Sequence, residues 1–318
     1  MRGLWLEAGR LELREDLPEP VGEEVLVRVE LAGICNTDLE LLRGYFEFTG
    51  VPGHEFVGVV AESRGRWEAG QRVVGEINAG CHRCSTCRAG RPRHCPQRTV
   101  LGIQGRDGAF REYLSLPEEN LHAVPDGIAD EAAVFVEPLA AAVRILEQVH
   151  LSPSERVLLI GAGKLGQLIA RVLRLTGCEL QVLARHRHQQ ERLERLGIAA
   201  LLDFPESLHH GFDAVVEASG TPAGLATALQ ALRPEGLLIL KSTYADRVSL
   251  DVSRLVVDEV RWLGSRCGPF PPALRLLEEG LVDPRDLVEA VYPLEDFRRA
   301  FSHAGRPGAY KILLAMRS

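Results

Sequence analysis

Hydrophobic positions in the first 125 residues come in short bursts cut by glycine and proline, as in Val25-Leu26-Val27-Arg28-Val29 and Val57-Gly58-Val59-Val60. Bursts of this kind predict strands, and no long helical period breaks the series before residue 130. The texture then changes. Leu139 to Val149, rich in alanine and leucine, predicts a helix, and Val157-Leu158-Leu159-Ile160 predicts a continuous apolar strand. A helix over Gln167–Leu175 and a strand over Leu180–Ala184 follow. Further strands are expected at Ala214-Val215-Val216, Leu237-Leu238-Ile239-Leu240 and Val260-Arg261-Trp262-Leu263. Strands alternating with helices predict an α/β region with a doubly wound parallel sheet. Past Gly268-Pro269-Phe270-Pro271-Pro272 the pattern gives a helix near Ala273–Glu279 and a closing apolar strand, Tyr310–Leu314. Neither an internal repeat nor a low-complexity segment is visible.

The first strand of the alternating region runs straight into Gly161-Ala162-Gly163-Lys164-Leu165-Gly166. A G-x-G-x-x-G pattern is weak alone and gains meaning between a strand and a helix, where it marks a dinucleotide loop. Gly161 permits the tight turn, Gly163 lets backbone approach a pyrophosphate, and Gly166 lets helix pack on strand. With Lys164 and Leu165 they form the expected cofactor loop, and the helix start adds free N–H groups and a partial positive charge. A glycine turn that serves packing alone is the plainer alternative. At the end of the second strand an acidic residue would favour NAD through the ribose hydroxyls, but the chain has Arg185-His186-Arg187-His188. Arg185 and Arg187 would pair with a 2′-phosphate, so NADP is favoured and NAD stays possible. An ordinary solvated helix start is the other reading of this run.

Size and charge narrow the partners. A chain of 318 residues has room for two domains with separate cores, and 46% hydrophobic with 25% charged residues is a globular composition. A net charge of −7 argues against nucleic acid, since phosphate binding needs a concentrated basic face. No apolar run reaches the roughly eighteen residues that span a membrane. Met1-Arg2-Gly3-Leu4-Trp5-Leu6-Glu7 meets an acidic residue too soon for a secretory signal. A cytoplasmic location is therefore expected, where thiols stay reduced and clustered cysteines bind metal more often than they pair. The basic side chains are almost all arginine: Lys164, Lys241 and Lys311 are the only lysines, and Asn36, Asn78 and Asn120 the only asparagines. A hot environment and a biased codon composition explain this equally well.

Cys81-x2-Cys84-x2-Cys87-x7-Cys95 places four thiols within fifteen residues, a donor set for closed, tetrahedral zinc. A ferredoxin-type run has three residues before its last cysteine, and this one has seven. A zinc ribbon gripping nucleic acid is a second rival, since His82, Arg83, Arg88, Arg91 and Arg93 lie between the thiols. Cys35, His54 and Glu137 are far apart, and singly each has an ordinary reading: a small buried hydrophobe, a core histidine, an acid at a helix N-terminus. Cys178 and Cys267 belong to neither group. Cys178 reads as packing, and Cys267 as packing or a pocket border.

Five motifs occur in one order: Gly33-Ile34-Cys35-Asn36-Thr37-Asp38, Pro52-Gly53-His54-Glu55-Phe56-Val57-Gly58, the four-cysteine lobe, Val136-Glu137-Pro138-Leu139, and the glycine loop. Together with the closing Lys311-Ile312-Leu313-Leu314, the chain resembles the zinc-dependent medium-chain dehydrogenase/reductase family of alcohol, polyol and threonine dehydrogenases. The resemblance implies a GroES-like β catalytic domain over 1–140 carrying the zinc lobe at 81–95. It also implies a Rossmann domain over 141–266, and a return to the catalytic domain over 267–318. Cys35 and His54 are implied as ligands of a second, catalytic zinc, with Glu137 as the third and Glu55 either a ligand or just behind the metal. Asp38 resembles the carboxylate that orients the ligand histidine, and Thr37 the hydroxyl that touches the substrate oxygen. Many relatives carry a histidine where this chain has Glu40, so the proton relay ends on Glu40 or on water. The implied activity is hydride transfer between a primary or secondary alcohol or polyol and a nicotinamide cofactor, with the matching carbonyl as product. A dimer or tetramer is implied as well. The alternative is a nucleotide-binding, reductase-like protein of the same fold without catalytic zinc.

Overall fold

Val25, Val27 and Val29 are buried while Leu26, Arg28 and Glu30 are half-buried, and this period of two makes strand β1 (Val25–Gly33). A bulge between Val29 and Leu31 then shifts the register, so that Ala32 and Gly33 point inward and the chain leaves the sheet on Cys35. Helix α1 (Asn36–Leu42) starts there, with Asp38 accepting the Cys35 N–H at 2.8 Å. Strand β2 (Glu55–Val60), almost wholly buried, pairs antiparallel with β1 and sets Glu55 opposite Gly33. Strand β3 (Arg72–Gly75) extends this sheet on the far side of β2, β4 (Tyr113–Leu116) pairs with the first half of β1, and β5 (Leu121–Ala123) lies beyond β3.

The computed structural model describes residues 1–44, 47–244 and 247–317. They fall into two units, 1–137 with 270–318, and 138–269. Helix α2 (Val136–Gln148) follows the first segment. The second unit then alternates strand and helix: β6 (Arg156–Ile160), α3 (Lys164–Arg174), β7 (Glu179–Leu183), α4 (Arg187–Arg195), β8 (Ala199–Leu201), β9 (Phe212–Glu217), α5 (Pro222–Ala231), β10 (Leu232–Leu240), α6 (Val252–Val257) and β11 (Arg261–Gly264), of which α4, β8, α5 and α6 are not among the elements the pattern names. All six strands are parallel, in the order β8-β7-β6-β9-β10-β11. Burial holds this sheet: Val157, Leu158, Leu159, Val215 and Val216 are fully inside, each stabilising by about 1.5–3 kcal/mol. Strand order reverses between β6 and β9, and ligands of open α/β sheets bind beyond the strand ends at such a point.

The chain then rejoins the first unit. Strand β12 (Val288–Pro293), helix α7 (Phe297–Ala304) and strand β13 (Lys311–Ala315) complete a sheet ordered β5-β3-β2-β1-β13-β12 with β4 on β1. Strand β13 runs antiparallel along the second half of β1, with Leu313 opposite Gly33. Fully buried Phe110 meets Phe301 of α7 edge to face at 5.7 Å, which ties the returning segment to the core. The fold is thus α/β, one β-rich unit and one doubly wound parallel-sheet unit. Among the described residues no helix is long and apolar enough to cross a membrane.

Candidate active site and metal centres

The register of β1, β2 and β13 assembles a polar group inside the first unit. Cys35 follows the end of β1, His54 precedes β2 and Glu55 begins it. One donor atom from each of the three lies within 4.8 Å of the other two. His54 is 3% and Glu55 1% exposed, so the group sits in a largely dry environment. Asp38, 1% exposed, organises it from α1. Its carboxylate accepts the Cys35 N–H at 2.8 Å and the Gly53 N–H at 3.1 Å, and Oδ1 lies 3.4 Å from His54 Nδ1. With Nδ1 turned to Asp38, the ring has Nε2 left to offer a metal, the arrangement in which a carboxylate orients a ligand histidine. Burial works against a charge on His54, but Asp38 and Cys35 outweigh it and hold the imidazole well above its ordinary range. A half-buried thiol with a buried imidazole and carboxylate, their donors converging this closely, fit a zinc ion.

Thr37 lies half-buried beside this group, its hydroxyl 3.8 Å from the Cys35 sulfur. Glu40 is spent elsewhere: its carboxylate pairs with Arg43 at 2.5 Å and stays 40% exposed. Glu137, in the first turn of α2, does not join the three converging donors. The segment leading to it does pass close, since a Cβ built on Gly33 would stand 3.0 Å from Val134. Pattern reasoning missed Lys311. Its Nζ donates to Glu55 Oε2, and it is 2% exposed. Burial alone would lower its pKa, but Glu55 and then Cys35 raise it and keep the ammonium charged. The available signal was the rarity of lysine in this chain.

Cys81, Cys84, Cys87 and Cys95 form the second group, their sulfurs all within 4.8 Å of one another. Backbone N–H groups point at the sulfurs: Cys81 and Gln97 donate to Cys95 at 3.5 and 3.3 Å, and Cys87 to Cys84 at 3.4 Å. N–H groups of Arg83 and Cys84 bring the Cys81 thiol down to about 6, and that of Cys87 brings Cys84 down as well. Burial, then the neighbouring thiols, push Cys87 up to about 12. Four such thiols fit a tetrahedral zinc ion, a donor set that leaves no position for substrate.

In the second unit, the glycine loop joins β6 to α3. Gly161 takes φ +100°, and a Cβ there would lie 2.7 Å from the Ala218 carbonyl oxygen. A Cβ on Gly166 would lie 1.9 Å from the Gly161 oxygen, whereas nothing stands within 4 Å of one built on Gly163. The loop is therefore packed shut at its first and last glycines and bare at the middle one, as a phosphate cradle requires. Lys164 and Leu165, both half-buried, form the first turn of α3. Arg185 and Arg187 are exposed just past β7, where buried Gln189 accepts the backbone N–H groups of Arg185 and His186 at 3.2 Å each. A second group missed from the pattern lies beside the loop. Glu217, fully buried at the end of β9, accepts from Ser219 N–H at 2.7 Å and from the Ser219 and Tyr244 hydroxyls at 2.5 Å each. An acid closing an apolar strand before Ala218-Ser219-Gly220 was its signal.

Comparison with known proteins agrees with this geometry. Residues 22–126 match the alcohol dehydrogenase GroES-like domain, and residues 165–279 match the zinc-binding dehydrogenase domain. The chain is 30% identical to D-arabinitol dehydrogenase 1 of Uromyces fabae, over 94% of its own length and 92% of that protein's. A Sinorhizobium meliloti 1021 protein described as a zinc-binding dehydrogenase, solved with NADP, superposes with a TM-score of 0.90 at 25% identity, covering 99% of this chain and 98% of the other. An Escherichia coli CFT073 protein described as a short chain alcohol dehydrogenase, solved with NADH, gives 0.89 at 26% identity, with 99% of each chain covered. On these matches, and on the converging donors and the glycine loop, the chain belongs to the zinc-dependent medium-chain dehydrogenase/reductase family and is an oxidoreductase.

Proposed function

We propose that the protein reversibly oxidises a primary or secondary alcohol or a polyol, passing hydride to a nicotinamide dinucleotide, with one zinc ion in each of its two donor groups. The observation that carries this reading is the convergence of Cys35 with the adjacent pair His54 and Glu55, two separate stretches of chain, within 4.8 Å. When bound, zinc supplies Lewis acidity that favours loss of a hydroxyl proton, and the nicotinamide supplies the two-electron acceptor. Cys35 and His54 hold the metal; the family resemblance makes Glu137 its third ligand, although the converging donors include Glu55 and not Glu137, and Glu55 ligates or stands just behind the metal. Asp38 fixes the His54 ring, so that the ligand does not have to reorganise during turnover. Thr37 takes the hydroxyl proton and hands it outward. Since Glu40 is paired with Arg43, water is the better-supported end of that relay. The thiols of the lobe brace their loop.

The bare Gly163 backbone and the first turn of α3, with Lys164 and Leu165, hold the pyrophosphate, and Gly161 and Gly166 shape the loop. Arg185 and Arg187, exposed where the adenosine ribose of a bound dinucleotide would end, favour NADP through its 2′-phosphate. A polyol substrate is supported by the likeness to D-arabinitol dehydrogenase 1. We also propose a homo-oligomer, dimer or tetramer. Edge strand β11 exposes Trp262, and neighbouring α6 exposes Val252, Val256 and Val257, an apolar edge that a second copy would cover. Screening alcohols and polyols with both dinucleotides, alongside metal analysis, tests the reading. Turnover lost on chelation and regained with zinc is expected, and full turnover by a protein free of zinc overturns it.

A further inference from the structure

Glu217 has no part in the roles above, although its carboxylate is fully buried. It ends β9, the first strand past the point where strand order reverses. Oε1 accepts the Ser219 N–H at 2.7 Å and the Ser219 hydroxyl at 2.5 Å, and Oε2 accepts the Tyr244 hydroxyl at 2.5 Å. All three donors are neutral. A carboxylate is costly to bury on such terms, and an apolar residue would serve packing alone at lower cost. What the carboxylate adds is connection. Ser219 lies in the loop after β9 and Tyr244 in the loop after β10, so one side chain joins the two. Ser242 adds a second tie, its hydroxyl oxygen accepting the Gly220 N–H at 2.8 Å. Ser219 itself has no room to shift. A Cβ on Gly161 would stand 2.8 Å from Ser219 Cα, and one on Gly224 of α5 would stand 2.0 Å from the Ser219 hydroxyl oxygen. Burial, then Glu217, raise the pKa of Tyr244, so its hydroxyl keeps the proton that it donates.

The place of this clamp gives it a use. A doubly wound sheet takes a dinucleotide across the reversal point, one nucleotide over each half of the sheet, with the pyrophosphate between them at the glycine loop. Arg185 and Arg187, past β7, put the adenosine over β6, β7 and β8, which leaves β9, β10 and β11 as the other half. We propose that Glu217 and Tyr244 are positioning residues of the dinucleotide site, which join the loops after β9 and β10 and so fix the surface that receives the nicotinamide nucleotide. This rests on the dinucleotide reading proposed above. Loops already held in one geometry lose less entropy when the nucleotide binds. Without the clamp the adenosine half keeps its grip and the nicotinamide half loses part of its own.

The test is calorimetric titration of the full-length protein with a dinucleotide and with its adenosine fragment: NADPH beside adenosine 2′,5′-bisphosphate, and NADH beside AMP. Each fragment lacks the nicotinamide half, so the ratio of the two affinities isolates that half whichever dinucleotide is preferred. Tyr244→Phe, which removes one hydroxyl, is expected to weaken dinucleotide binding about tenfold and to leave fragment binding within about twofold, with the melting temperature near wild type. Glu217→Leu, which removes the clamp altogether, is expected to weaken dinucleotide binding further, again with the fragment nearly unaffected. Tyr244→Phe binding the dinucleotide like wild type, or losing dinucleotide and fragment affinity equally, overturns the clamp alone. Should Glu217→Leu not fold, Tyr244→Phe decides by the same two results. A wild-type protein that binds neither dinucleotide overturns the dinucleotide reading and the clamp together.

Discussion

The four-cysteine lobe gathers its donors from fifteen consecutive residues, whereas the Cys35 group draws on the end of β1, the start of β2 and, through Lys311, the returning β13. In the lobe three of the four thiols remain partly exposed and backbone N–H groups steady the sulfurs. In the Cys35 group the histidine and both carboxylates are buried, and side chains stand beside them: Asp38 faces His54, and Lys311 pairs with Glu55. A local loop can be braced by an ion that satisfies every donor. A site that must admit substrate needs ligands set by a rigid scaffold. The contrast predicts that damage to the lobe reads out in stability and damage to the Cys35 group in turnover.

The largest effect is expected at Cys35. Cys35→Ser should lower kcat/KM by about a thousandfold or more, roughly 4 kcal/mol, while the melting temperature stays near wild type. Steady-state kinetics beside a thermal melt checks this, and an unfolded variant with normal residual turnover per folded molecule would erase the distinction. Next comes Cys95→Ser in the lobe, where loss of a structural ion should cost about 3 kcal/mol and lower the melting temperature by roughly 5–10 °C. Turnover of the folded fraction at low temperature should stay within about twofold of wild type. A melt that does not move would remove the bracing role.

Asp38→Asn sharpens the comparison inside the Cys35 group. Losing the carboxylate that faces His54 should weaken zinc retention or turnover by about 10–100-fold, measured by chelator competition. The smallest effect is expected far from either centre. Arg185→Ala with Arg187→Ala should raise KM for NADP by about tenfold and leave KM for NAD nearly unchanged. Equal changes for both dinucleotides would return those arginines to the solvated-surface reading.

How much of this was legible depended on how local each signal is. The lobe could be read from spacing because its ligands are neighbours in the chain. Strands β6, β9 and β10 stood out as apolar runs, and the glycine loop drew its meaning from sitting between β6 and α3. Helix α1 was invisible, since its seven residues bury only Asp38 and Leu41. Helix α4 showed only as the alternative reading of Arg185–His188 as a solvated helix start: among Arg187–Arg195 only Gln189 and Leu193 are buried, too thin a stripe to show a helical period. Strand β8 has three residues, too short for any period to register. The pairing of Lys311 with Glu55 joins positions 256 residues apart, so only the register of β13 on β1 exposes it. The resemblance to known dehydrogenases supplied Cys35, His54 and Glu137 together, where residue types alone left each with an ordinary reading, and it added Asp38.

The central claim, two zinc sites of opposite construction in one chain, is tested most directly by counting zinc per chain in the purified wild type and in Cys35→Ser by elemental analysis. The account predicts about two ions in the wild type and about one in the variant, the remaining ion staying with the four thiolates. Equal zinc content in the two proteins would contradict it.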